Sequence, residues 1–183
     1  MKKVVLTLFV FFALTITQVF AYNLRDFSSD SKILAAMQLL EQSGEYDVFN
    51  NLRKNSVKVK FYNLGGYGQS VYAANTYDSN GRRVILINSV YQNAPVEQIA
   101  CLIAHESCHV LRKATLEEET TATQKEAICW TKFKNPSVSY PQTKLTKRLD
   151  KIAGLHVASS DGNNYIQDKI ANSQFYRTQF GLN

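Results

Sequence analysis

The sequence predicts an α+β fold: a small antiparallel sheet in the first half, a metal-binding helix pair in the middle, and further helices at the C-terminal end. Three observations lead there. Val57-Lys58-Val59-Lys60-Phe61 alternates apolar and polar residues, the pattern of a half-buried strand. Asp78-Ser79-Asn80-Gly81 separates two strand-like runs, Ser70 to Tyr77 and Arg83 to Asn88, and Asn-Gly there signals a hairpin. From Pro95 onward the apolar residues recur at helical rather than strand spacing.

The elements follow in order. Ile33, Leu34, Met37 and Leu40 mark a helix from Ser31 to Leu40, which Gly44 ends. Gly65-Gly66-Tyr67-Gly68 lacks the Lys-Ser/Thr of a phosphate loop and reads as a turn. Pro95 opens a helix from Val96 to about Lys113, because its missing N–H costs nothing in a first turn. Ile99, Leu102, Ile103, Val110 and Leu111 supply the apolar positions of that helix. A second helix is expected from Leu116 to Lys132, where Asn135-Pro136 breaks the pattern. Lys144 to Ile152 and Tyr165 to Tyr176 look like two more, with a turn at Asp161-Gly162-Asn163-Asn164 between them. Trp130 reads as a core anchor.

The chain has 183 residues and a formal charge of +6. Lys2 and Lys3, the apolar run Val4 to Ile16, and small residues near Val19-Phe20-Ala21 form a secretory signal pattern. Cleavage is expected after Ala21, leaving residues 22–183 as one domain. A retained anchor is the competing reading, but the apolar run is short for a spanning helix. The expected location is secreted or periplasmic, with no stable membrane insertion after cleavage. Basic residues are scattered rather than clustered with aromatics, so nucleic acid is not an expected partner.

The chemistry concentrates in His105-Glu106-Ser107-Cys108-His109. Two histidines four residues apart on a helix project from one face and can share one zinc ion. Glu106 points about 100° away from His105 and is placed to act on a water rather than to join both imidazoles as a ligand. The flanks Ile103-Ala104 and Val110-Leu111 are apolar, as a buried active-site helix requires. A catalytic zinc takes three protein ligands and leaves one position open. His156, the remaining histidine, is far along the chain. If the two central helices pair antiparallel with a turn near Ala114-Thr115, Glu119 lies level with Val110 and Glu126 lies near Ile103. Either glutamate is then within reach of the site. Glu117 suits a helix start, where acidic groups complement the dipole.

His105-Glu106-x-x-His109, followed by Glu118-Glu119-x-x-Ala122 and Trp130, resembles small gluzincin-like zinc peptidases of bacteria and phages. The resemblance covers about Ile85 to Lys132. It implies a zincin-like fold, peptide hydrolysis by zinc-activated water, a peptide or protein substrate, and Glu119 as third ligand with Glu118 and Glu126 as alternatives. Glu106 would be general base and then proton donor. Such enzymes often carry Asp four residues after the ligand glutamate to support a zinc histidine. Thr123 stands there, so that support must come from elsewhere. In such folds an extended peptide pairs with a strand edge beside the metal helix, for which Val84 to Asn88 is the candidate; the same residues read equally well as a core strand. Two rival readings are an exported zinc-binding interaction module without turnover and a zinc amidase acting on cell-wall material. The intact Glu106 argues against the first.

Three cysteines in an exported chain invite pairing. Cys101 and Cys129 lie level in the antiparallel helix pair, so a disulfide is expected there, with Cys108 left over.

Overall fold

Helix α3, Val96–Ser107, has no face left for solvent: every residue from Gln98 to Ser107 is buried. Its sequence allows this because Ile99, Ala100, Cys101, Leu102, Ile103 and Ala104 are apolar all round the helix. The computed structural model describes residues 22–67, 71–111, 113–159 and 164–181. The expected signal segment 1–21, Ser70, and residues 161–163 of the expected turn lie outside the described residues.

Helix α1, Ser31–Gln42, packs on α3. Asp30 caps it by accepting from the N–H groups of Lys32 and Ile33, and Gly44, at φ +78°, turns the chain away. Helix α2, Tyr46–Lys54, has no counterpart among the expected elements. Asn50, Asn51 and Asn55 dilute its helical signal, while burial of Val48, Phe49 and Leu52 against the core holds it.

The sheet contains β1, Lys58–Tyr62, β2, Ala73–Tyr77, and β3, Arg83–Asn88, in the order β1-β3-β2. The expected hairpin forms between β2 and β3. Asp78 Oδ1 accepts from the N–H groups of Asn80 and Arg82, and Gly81 takes the left-handed conformation at φ +73°. Two corrections follow. The sheet is mixed rather than antiparallel, because β1 pairs parallel with β3, setting Val59 opposite Ile85. The peptide-pairing edge expected at Val84 to Asn88 is an interior strand, bonded on both sides, and five of the six residues in Arg83–Asn88 are buried. The outer strands are β1, whose Val59 N–H bonds to the Phe27 carbonyl, and β2.

Helix α4, Leu116–Phe133, lies against α3, and α5, Lys144–Ala158, lies against α4. Trp130 is fully buried between them, donating from Nε1 to Asp150 Oδ1 at 2.7 Å and meeting Tyr140 edge-on. The helix expected over Tyr165 to Tyr176 is two: α6, Tyr165–Ala171, and α7, Gln174–Phe180. Asn172 separates them by turning its amide back onto the Asp168 carbonyl. No helix among the described residues is long and apolar enough to cross a membrane.

One boundary matters for the site. The central helix was expected to continue to about Lys113, yet α3 stops at Ser107. The following N–H groups, of Cys108 and His109, bond three residues back to His105 and Glu106, which tightens the chain out of the α geometry. Val110 and Leu111 are half exposed rather than part of an apolar helical stripe. All three cysteines are free thiols, so the expected Cys101–Cys129 bond is not formed in this structure. Both residues are fully buried and fill core space as small apolar side chains do.

Candidate metal centre

His105 and Glu106 end α3, and Glu119 lies in the first turns of α4. Thr115 caps α4 by accepting from the Glu118 N–H, which starts the helix where its first turn faces the end of α3. His109 reaches the same point from outside the helix. The level-residue estimate for the antiparallel pair therefore holds, although one of the two histidines is not helical.

Three donor atoms converge. His105 Nε2 and His109 Nε2 are 3.2 Å apart. Glu119 Oε1 is 3.6 Å from His105 Nε2, and Glu119 Oε2 is 3.5 Å from His109 Nε2. An ion bonded to each donor at roughly 2.0–2.1 Å with tetrahedral angles needs donors roughly 3.3–3.4 Å apart. The 3.2 Å between the two nitrogens is close to that value, and each nitrogen stands a little farther from a different oxygen of the Glu119 carboxylate. Two imidazoles and a carboxylate also suit a divalent ion chemically. This buried group can hold a metal ion.

The outer nitrogens of both rings meet carboxylates, as ligand histidines require for orientation. His105 Nδ1 stands 3.0 Å from Glu126 Oε2, an ion-pair contact without good hydrogen-bond alignment. His109 Nδ1 stands 3.4 Å from Glu118 Oε2. Thus the two glutamates that competed with Glu119 in the sequence lie behind the histidines instead. They supply the support that Thr123 does not. Arg148 pairs with the second oxygen of Glu126 and lies over the Tyr72 ring. The Tyr176 hydroxyl donates to Glu119 Oε1 at 2.7 Å.

The charges follow from this packing. Burial opposes a charged His105, but Glu126, with Glu119 and Glu106 behind it, outweighs burial, and the ring is pushed up to about 9. The surrounding carboxylates thus favour the protonated ring, and a metal ion would compete with that proton for the ring nitrogen. Burial pushes the Glu106 carboxyl up, with His105 and His109 pulling the other way. Burial also opposes charge on Glu126, yet Arg148 and His105 hold its carboxyl below the ordinary range.

None of the family models, curated proteins or solved structures compared with this chain matches it.

The donors face a cleft of about 510 Å³. Strand β2 runs along one wall, and Phe175, Tyr176 and Gln179 of α7 form another. Glu106, His105, His109 and Glu119 line it together, so the expected site residues are all brought to one place. His156 sits in the last turn of α5, outside the donor group.

Arg148 and Tyr176 were missed from the sequence. Arg148 did leave a signal: it interrupts the apolar stripe of Leu145, Leu149 and Ile152, so a buried partner was implied. Tyr176 left none, because its role depends on how α7 folds back over α4.

Proposed function

We propose that this protein is a zinc-dependent hydrolase of the gluzincin-like, zincin type that cleaves peptide bonds. The observation that carries the reading is the convergence of His105 Nε2, His109 Nε2 and the Glu119 carboxylate: the two nitrogens are 3.2 Å apart, and they stand 3.6 and 3.5 Å from Glu119 Oε1 and Oε2 respectively. Two imidazoles and a carboxylate suit zinc, and Glu106 stands beside them in the same cleft. Bound there, zinc would supply Lewis acidity and lower the pKa of a water that it polarises.

The chain's own residues do the rest. Glu106 takes a proton from the attacking water as its oxygen bonds to the scissile carbonyl carbon. The same carboxyl then gives the proton to the departing amine nitrogen as the C–N bond breaks. Its raised pKa suits both halves of that exchange, since a group poised nearer neutrality accepts and releases a proton readily. Strand β2 offers backbone groups along the cleft, so an extended peptide would lie against it. Export by the segment 1–21 belongs to the same proposal.

The test is metal analysis of the purified chain combined with a broad peptide library, with and without chelator. The reading requires about one zinc per chain and chelator-sensitive cleavage. Cleavage that persists at full rate after the metal is stripped overturns it.

A further inference from the structure

His109 is two residues past the end of α3, so helical geometry does not place it. The segment after Ser107 nevertheless runs a defined course, and side chains from β3, β2 and α4 bond to it, beside Asn51 of α2 at the Ser107 carbonyl. Arg83, the first residue of β3, is 9% exposed. It donates from Nη1 to the His109 carbonyl at 2.6 Å, and from Nη2 to the carbonyls of Val110 and Leu111 at 2.7 and 2.9 Å. Asn75, on β2, donates from Nδ2 to the carbonyls of Glu106 and His109 at 2.8 and 3.1 Å. Glu118, on α4, accepts at Oε1 from the N–H groups of Val110 and Leu111 at 2.8 and 2.9 Å, while its Oε2 faces His109 Nδ1.

Every one of these bonds falls on the few residues that carry His109, and two of the side chains, Arg83 and Asn75, come from the sheet. Arg83 pairs with Tyr77 across the strands and Asn75 with Ile85, so both project from the face that meets the end of α3. The guanidinium spans three successive carbonyls, which a lysine ammonium could not do with one fixed geometry.

We infer that Arg83, Asn75 and Glu118 are positioning residues: together they clamp the backbone of residues 106–111 and thereby set His109 Nε2 at bonding distance from the metal position. This inference rests on the metal-site reading above. The clamp explains how a histidine outside the helix meets one inside it at 3.2 Å. It makes the site a joint product of sheet and helix pair. It also accounts for a guanidinium that bonds three main-chain carbonyls in the wall of the cleft while lying over the Tyr77 ring.

The experiment measures zinc affinity of the full chain by chelator competition. The proteins are wild type, Arg83→Met, Asn75→Ala, Glu118→Ala and Glu118→Gln, and the first three substitutions again in a His109→Ala background. Glu45→Gln, which removes charge from an ion pair to α4 but makes none of the bonds to residues 106–111, controls for general loss of stability. Arg83→Met and Glu118→Ala should each weaken zinc binding about 10- to 100-fold. Glu118→Gln should lose less than Glu118→Ala, because its carbonyl oxygen still accepts from Val110 and Leu111. In the His109→Ala background those losses should largely vanish, since the clamp acts through that ring. Should Arg83→Met fail to fold, Asn75→Ala and Glu118→Ala carry the same comparison. Wild-type affinity in the clamp variants, or an equal loss with and without His109, overturns the inference. If His109→Ala itself binds zinc as wild type does, the metal-site reading fails first.

Discussion

Glu106 and Glu119 differ in what they contribute, and substitution separates them. Glu106→Gln keeps both imidazoles and the ligand carboxylate but removes the proton acceptor. It should retain about one zinc per chain while peptide cleavage falls at least ~100-fold, read by metal content and turnover on the same sample. Glu119→Ala should weaken zinc binding by more than 10-fold, whereas Glu117→Ala should leave it unchanged. A titration of the two variants side by side checks this, and a loss confined to Glu117→Ala would refute the assignment. The cysteines give a further residue-scale outcome. Burial pushes the Cys108 thiol up to about 11 and the Cys129 thiol up to about 12. All three should therefore alkylate slowly in the folded protein, and all three should be free once the chain is unfolded without reductant. Two missing thiols in a peptide map would show a bond that this structure lacks.

At the scale of elements, the junction between α2 and α4 is an ion cluster. Glu45, just before α2, accepts from Lys125 at 2.6 Å and Lys132 at 2.9 Å, both on α4. Burial opposes its charge, but the two ammonium groups outweigh burial and hold the carboxyl below its ordinary range. A carboxylate whose pKa is lower folded than unfolded stabilises above its unfolded pKa, near 4.5. That contribution is lost as pH falls through the folded value. Urea unfolding of wild type and Glu45→Gln should thus differ by about 1 kcal/mol at pH 7, allowing for solvent screening of the partly exposed pairs, and converge as pH falls through the lowered pKa of Glu45. A gap that persists in acid would mean the side chain acts by packing rather than by charge. The same junction holds the base of α4, and α4 carries Glu118, Glu119 and Glu126.

For the whole molecule, metal binding and folding are linked. The donors come from α3, the segment after it and α4, which meet only in the folded chain. A metal bound at His105 would compete with a proton that the carboxylates favour, so zinc binding should weaken as pH falls. An ion that binds the folded state alone stabilises by RT ln(1 + [L]/Kd), about 2.7 kcal/mol at a hundredfold excess over Kd. Zinc should therefore raise the thermal midpoint by several degrees, and chelator should return it to the metal-free value. His105→Ala should show no such rise. A midpoint indifferent to zinc in the wild type would separate this cluster from metal binding altogether.

Much of this was legible before the fold was known. Apolar spacing alone marked α1, α3, α4 and α5, since a helix records its buried face in its own sequence. The Asp78–Gly81 hairpin was readable from turn chemistry, and His105, Glu106 and His109 from ligand types and spacing, whereas Glu119 was preferred over Glu118 and Glu126 by resemblance. Other features depended on partners distant in the chain. The end of α3 at Ser107 is one, because Arg83 and Asn75 bond to backbone groups 26 to 34 residues away. The strand order is another: β1 reaches β3 only through tertiary pairing, which turned the expected edge into an interior strand. The placement of Glu126 and Glu118 behind the histidines, and of Arg148 and Tyr176 beside them, arose the same way. The sequence by itself determined which groups could bind a metal, since that is a property of side-chain chemistry and local spacing. Only the tertiary structure decided which carboxylate stands with both imidazole Nε2 atoms and which ones stand behind the rings, because that depends on how separate elements pack to within a few ångströms.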